Sequence, residues 1–372
     1  MDITPRELAE SCILCNLCIE VCPFFKATGD AKYGAMAKVE AAKELFRGAP
    51  LSDEDIKSLL LCTRCDQCHS ACPIQIPVAD IIQGARSELR RRNMVPEKYN
   101  TIAQAIITKG SPMGTPPEKR LAFIPQGFRP PATAKYLYVP GCWSSIKLPE
   151  TAKVTVELMI KAGLDFTVLG EREWCCGLFL LDTGMVDEAK KLAESNTELF
   201  ESTGAEYLVT ECPSCYDVFK RVYPKLFREP KYKVIHVSEL LKELIDGGKL
   251  RVSKPDAPRK IIYKDPCPLV RRHGITEGPR GVITSFAELV EYGDNRENLL
   301  CCGAPAGVKP IFPEIANRLA EMLLDEAASK KADEIGVGCA FCLYHMGSAG
   351  KDPSGIPKIK TLSQQVKEHL SG

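Results

Sequence analysis

The chain has 372 residues, 45% of them hydrophobic, with 49 Lys plus Arg against 48 Asp plus Glu. That length suits two or three domains with substantial cores, and the balanced charge gives no general case for nucleic-acid binding. Its 18 cysteines are the informative number. A disulfide framework belongs mainly to small secreted chains. The opening MDITPRELAESC has no basic region followed by an apolar signal core, which argues against export. No apolar run approaches the length that spans a bilayer. The expectation is a cytoplasmic metalloprotein.

In chain order, residues 12–23 read CILCNLCIEVCP and residues 62–73 read CTRCDQCHSACP, both CxxCxxCxxxCP. Three closely spaced thiolates wrap one iron–sulfur cluster, and the fourth, just before proline, commonly ligates the other cluster of the pair. The expected groups are Cys12, Cys15, Cys18 and Cys72 for one cubane, and Cys62, Cys65, Cys68 and Cys22 for the other. Zinc also uses CxxC pairs, but a duplicated four-cysteine run with this spacing favours [4Fe–4S]. His69 is surplus to these sets and reads as a packing or solvent-facing residue.

Between and after the runs the pattern is helical. KVEAAKELF (38–46) places apolar residues at helical spacing. Ser52 and Asp55 in SDEDIKSLLLC form a weak capping box for a helix that delivers Cys62. A longer helix, IPVADIIQGARSELRRRNM, ends in Arg90, Arg91 and Arg92, which suit a C-terminus. The Gly- and Pro-dense stretch from 109 to 131 marks a boundary crossing the surface. We expect a helical ferredoxin-like domain over 1–108, a linker over 109–134, and two further domains over 135–258 and 259–372.

The other ten cysteines form two matching sets: Cys142, Cys175, Cys176, Cys212, Cys215, and Cys267, Cys301, Cys302, Cys339, Cys342. The intervening lengths are 32 and 35 residues in the first set and 33 and 36 in the second. Such agreement implies an internal duplication. YLYVPGC resembles IIYKDPC, and AEYLVTECPSC resembles ADEIGVGCAFC; each reads as a short strand delivering cysteine. MVDEAKKLAESNTELF and PEIANRLAEMLLDEAASK supply the preceding helices, while HVSELLKELIDG and KTLSQQVKEHL close each half. This alternation predicts mainly parallel α/β layers, with the cysteines converging at strand C-terminal ends. Five thiols per set leave two readings open: a cubane plus a spare cysteine, or a larger or opened cluster.

The pattern C…CCG…CxxC resembles the cysteine-rich CCG domain of heterodisulfide reductases, and the whole chain resembles their HdrD-type subunit. All 18 cysteines are assigned without remainder, as four, four, five and five. The resemblance implies an α+β multidomain fold: a helical two-cubane ferredoxin-like domain, then two duplicated α/β CCG domains. It implies two noncubane [4Fe–4S] clusters, one per five-cysteine set, beside the two cubanes. It also implies reduction of the mixed disulfide of coenzyme M and coenzyme B between those clusters, with electrons arriving singly through the cubanes. The same layout resembles iron–sulfur subunits of glycolate, lactate and glycerol-3-phosphate dehydrogenases, so an electron-transfer subunit of a 2-hydroxyacid or acyl dehydrogenase complex is the alternative. Two departures bear on that choice. APAGV follows Gly303 where relatives have a more glycine-rich stretch, and Pro268 stands where many electron-transfer relatives have histidine.

Beyond cysteine, Lys264, Arg271, Arg272 and His273 are candidate cations for anionic ends of a substrate. His345, close to Cys342, is a candidate proton donor alongside the ten catalytic cysteines. Trp143 and Trp174 flank ligand cysteines and read as water-excluding or packing residues. No GxGxxG or Walker A run occurs. The electron donor is therefore expected to be another protein: a flavoprotein, a hydrogenase or formate dehydrogenase module, or a membrane cytochrome that would hold the chain at the inner membrane face.

Overall fold

The computed structural model describes residues 3–350 and 355–371. The outermost residues of the expected first and last domains therefore lie outside the described residues.

The N-terminal region is helical, with helices at Pro5–Glu10, Ala35–Arg47, Asp53–Leu60, Val78–Arg91 and Glu97–Lys109. Local chemistry sets their ends. Ser52 Oγ accepts from the Asp55 amide at 3.2 Å while Asp55 accepts from the Ser52 amide at 3.1 Å. This reciprocal cap starts the helix that leads to Cys62. On the Val78–Arg91 helix, Val78, Ile81, Ile82, Ala85 and Leu89 form the buried stripe. Arg86 lies on that stripe too, fully buried. The arginine-rich helix end divides its work. Arg91 stays exposed, Arg92 donates to the Leu45 carbonyl at 2.6 Å, and Arg90 donates to the Thr183 carbonyl at 2.8 Å.

The segment after residue 109 does more than cross the surface. Its 3₁₀ turn, Pro117–Phe123, buries Arg120 and Phe123 in the next domain. The Phe123 ring packs edge-on to Tyr138, with centroids 6.3 Å apart.

Two four-stranded parallel sheets follow. The first holds β1 (Tyr136–Tyr138), β2 (Phe166–Val168), β3 (Tyr207–Thr210) and β4 (Lys233–His236), in the order β2-β1-β3-β4. The second holds β5 (Lys260–Lys264), β6 (Glu288–Val290), β7 (Glu334–Val337) and β8 (Lys358–Thr361), in the order β6-β5-β7-β8. Every strand pairing is parallel, so the duplication read from cysteine spacing is a duplication of topology. In each sheet the chain leaves the first strand for one side and returns on the other. The switch point between β1 and β3, and between β5 and β7, opens a crevice at the strands' C-terminal ends.

One core is shared by both halves. Tyr138, Val156, Leu240 and Leu244 pack in one buried cluster with Ile261, Tyr263, Val282 and Val366. Thr155 Oγ bridges the seam, 2.8 Å from Ser363 Oγ and 2.9 Å from Glu211. The two crevices are thereby fixed relative to each other.

Candidate active site

The ten cysteines of the duplicated halves sit on the loops after strands or in the first turn of the helices that follow, as Cys215, Cys267 and Cys342 do. Cys142 follows β1 and Cys212 follows β3; Cys267 follows β5 and Cys339 follows β7. The CCG loops owe their glycine to backbone geometry. Gly177 has φ +79° and Gly303 has φ +88°, the left-handed region that glycine enters without steric cost. A Cβ on Gly303 would also meet the Leu319 side chain at 2.8 Å and the Ala316 carbonyl at 3.1 Å. Each glycine turns the chain so that the two cysteines before it face inward.

None of the 18 cysteines is in a disulfide. Three cavities lined by thiols lie in series. Cys12, Cys15, Cys18 and Cys72 border the first, of about 410 Å³. Cys22, Cys62, Cys65 and Cys68 border the second, of about 370 Å³. Cys68 borders both. The loops around them repeat an unusual backbone: Leu14 and Asn16 in one run, Arg64 and Asp66 in the other, all at φ between 54° and 67°. Holding non-glycine residues there costs about 1–2 kcal/mol each, and such strain gathers at ligand-holding loops.

The third cavity, of about 600 Å³, is bordered by the complete second set, Cys267, Cys301, Cys302, Cys339 and Cys342. Thr63, Arg64 and Cys65 line both the second and third cavities, and Thr63 Oγ lies 3.4 Å from Cys301 Sγ. The first half supplies the facing wall through Leu178, Asp182, Pro213 and Ser214. Behind that wall the first set packs sulfur to sulfur, Cys142 against Cys175, and Cys215 against both Cys176 and Cys212. Trp143, after Cys142, stacks on Phe341 at 4.3 Å. Phe341 lies between Cys339 and Cys342 and borders the third cavity. The two sets are therefore joined by an aromatic contact between partly buried rings. Trp174 instead packs against Gly110, where a Cβ would come within 2.9 Å of the indole.

The basic candidates have protein partners. Arg271 donates to the carbonyls of Glu297 at 2.7 Å and Cys65 at 2.9 Å. Arg272 donates to Asp217 at 2.6 Å and the Arg64 carbonyl at 2.8 Å, and it also pairs with Asp66. His273 Nε2 meets Asp217 at 2.9 Å. These contacts engage the donors that the sequence offers to the anionic ends of a substrate. Arg271 and Arg272 lace the second half onto the Cys62–Cys68 loop, and only Lys264 and Arg272 of the four border the cavity. Burial opposes ionisation of Asp217, yet the His273 and Arg221 hydrogen bonds hold its carboxyl well below the usual range. Lys264 is buried, its ammonium 3.0 Å from the Asp265 carbonyl and 3.8 Å from Cys342 Sγ.

His345 also departs from expectation. It is fully buried, with Nε2 between the Cys302 carbonyl at 2.9 Å and the Ala316 carbonyl at 3.0 Å. Two acceptors on one nitrogen fix the proton there, and burial pushes the imidazole below its ordinary pKa. A neutral ring thus braces the CCG loop against the Pro313–Ser329 helix, off the cavity wall. His69 is packed, with Nδ1 3.2 Å from the Ile76 carbonyl.

Sequence reasoning missed the buried arginines. Arg86 donates to the carbonyls of Leu59, Leu60, Cys62, Asp182 and Ala306, tying all three regions together. Arg64 pairs with Asp182. Arg120 donates to Glu173 at 2.7 Å, Ser145 at 2.8 Å and the Gly110 carbonyl at 2.8 Å. Burial pushes Glu173 up to about 7, opposed by Arg120. The available signal was a charged residue on an apolar helix stripe: Arg86 lies four residues after Ile82.

Among the described residues no group of three or more His, Cys, Asp or Glu is gathered closely enough for a single metal ion. The dicluster thiols and the second five-cysteine set instead ring cavities, and amides point at dicluster thiols: Arg64 N at Cys62 Sγ, and Ile76 N at Cys72 Sγ, both 3.4 Å. Thiolate donors with amide-to-sulfur hydrogen bonds suit polynuclear iron–sulfur groups.

Comparison with known proteins agrees with this donor set. Residues 136–220 and 261–347 each match the CCG family, a cysteine-rich domain, and residues 8–76 match a 4Fe-4S dicluster domain. The HdrD protein of the dihydromethanophenazine:CoB–CoM heterodisulfide reductase of Methanosarcina acetivorans is 31% identical, over 92% of this chain and 89% of that protein. The chain belongs to the HdrD family of heterodisulfide reductase proteins. The HdrD protein of Methanosarcina barkeri is 29% identical, over 94% of this chain and 91% of that protein. The EtfAB:quinone oxidoreductase of Syntrophomonas wolfei is 27% identical over 90% of this chain, which spans 54% of that protein. The family assignment makes this an iron–sulfur oxidoreductase subunit with a dicluster domain and duplicated CCG domains. No helix of the described residues is long and apolar enough to cross a membrane.

Proposed function

We propose that this HdrD-family protein reduces a mixed disulfide, that of coenzyme M and coenzyme B, to two thiols. The observation that carries the reading is the series of cavities. Two lead, through shared residues, to a third that the second five-cysteine set rings and the first half walls from the other side through Leu178, Asp182, Pro213 and Ser214. Under this reading the substrate enters the third cavity, beside the second set's cluster. Under this reading Cys12, Cys15, Cys18 and Cys72 hold one cubane, and Cys22, Cys62, Cys65 and Cys68 the other. Each five-cysteine set holds a noncubane [4Fe–4S] cluster. Bound there, such groups supply one-electron carriers, two of which match the two electrons a disulfide requires.

The chain's own residues do the rest. Pro213, Ser214 and Leu178 face Pro266 and Pro268 across the third cavity and shape a slot for the disulfide. Trp143 and Phe341 close its apolar side. Cys15 is exposed, so the first cavity is where a donor protein docks. A flavoprotein, a hydrogenase or formate dehydrogenase module, or a membrane cytochrome fits that role, with this chain cytoplasmic or held at the inner membrane face by its partner.

The kinship with a quinone oxidoreductase favours a second reading, an electron-transfer subunit of a dehydrogenase complex that binds no disulfide. EPR of the anaerobically purified, iron-quantified protein separates them. A new signal on adding the coenzyme thiols under oxidising conditions supports disulfide chemistry. Fully loaded protein that ignores both thiols sinks it.

A further inference from the structure

The two five-cysteine sets are duplicated, but their charges are not. We propose that Lys264 is a buried counter-cation that places the reduction potential of the second set's cluster above that of the first, making it the resting place of the first electron. The inference rests on both sets holding iron–sulfur clusters.

Counting back from the first cysteine of each set, Lys264 occupies the position of Val139, three residues before Cys267 and Cys142 respectively. Lys264 is 1% exposed, and its ammonium has the Asp265 carbonyl and Cys342 Sγ as partners. Arg280 takes both oxygens of the nearby Asp265 carboxylate at 2.9 and 2.7 Å. That guanidinium is shared with Glu291 at 2.7 and 2.9 Å, whose side chain is 29% exposed and so is screened by solvent. Arg271 adds a second cation beside Cys267. Among the described residues the first set has no such unpaired cation. Its one buried cation, Arg120, is matched by Glu173 at 2.7 Å. A second buried carboxyl, Glu211, precedes Cys212 and accepts from Thr151 and Thr155.

A cluster gains negative charge on reduction, so an uncompensated cation in a low-dielectric site favours the reduced form, and a carboxylate disfavours it. The second set is also the one that touches the dicluster domain, through Thr63 and Cys65. One electron, supplied by a reduced one-electron donor protein, thus moves from the dicluster side to the second set with no bond made or broken and no proton required.

The test is an EPR-monitored redox titration of the full, iron-quantified protein against K264M and K264R. We expect one CCG-site potential to fall in K264M, to hold in K264R, and the other centres to stay in place. An unchanged potential in K264M, or an equal fall of every centre, overturns the proposal. Should K264M fail to load iron, wild-type protein decides. The CCG-site signal that appears at the higher potential must broaden when the dicluster centre beside Cys65 is reduced, and a narrow signal there overturns the proposal. Absence of CCG-site iron in the wild type would instead reject the cluster assignment itself.

Discussion

At the scale of single residues, the molecule is organised by cations buried among carbonyls and thiols. Arg86 is the clearest case: five main-chain carbonyls from three regions converge on one guanidinium. Removing it leaves buried acceptors unpaired, at about 1–3 kcal/mol for each that water cannot reach. R86M should therefore cost at least about 3 kcal/mol, read as a lower anaerobic unfolding temperature; a loss too small to measure would refute the role. Trp143 and Phe341 form the aromatic link between the two sets. W143A should cost about 0.5–1.5 kcal/mol beyond the area lost and admit water to the third cavity, seen as faster cluster loss in air. Unaltered air stability would contradict the water-excluding role.

At the scale of elements, the CCG glycine explains why the triplet recurs. Both glycines sit at positive φ, but they differ in clearance. A Cβ on Gly177 would meet Leu192 at 3.3 Å, a tip that can yield, whereas on Gly303 it would meet Leu319 at 2.8 Å. G177A and G303A should each cost about 1–2 kcal/mol for the left-handed backbone. G303A should lose a further 1–3 kcal/mol, roughly, to overpacking. Equal unfolding temperatures for the two variants would contradict this.

Most of these elements were legible from the sequence. Cysteine intervals gave the duplication, and apolar spacing gave the helix expected at 185–200, observed at Val186–Glu201. The Ser52–Asp55 cap forms as read. What sequence could not show was direction in space. Arg271, Arg272 and His273 sit at a helix C-terminus near a ligand cysteine, which resembles a substrate clamp on paper. Only folding brings Asp217 and the Arg64–Gln67 loop within reach. His345 likewise lies close to Cys342 in sequence, yet its imidazole faces carbonyls.

At the scale of the whole molecule, the three cavities share residues in one order, with Cys68 between the first and second and Cys65 between the second and third. That order makes Cys65 the thiol shared by the dicluster side and the CCG side of the path. C65S should leave the CCG-site iron largely in place while slowing donor-driven reduction of those centres roughly 10–100-fold, by weakening the carrier that precedes them. Stopped-flow reduction with iron quantification checks it. Unchanged kinetics would mean that electrons enter the CCG domains by another route.

The central claim is that this path ends on a disulfide. The most direct measurement is anaerobic single turnover: iron-loaded protein, reduced by two electrons from its donor, is mixed with the coenzyme M–coenzyme B disulfide and the released thiols are counted. The account predicts one thiol of each kind per two electrons consumed. Fully loaded, fully reduced protein that keeps its electrons and leaves the disulfide intact would contradict it.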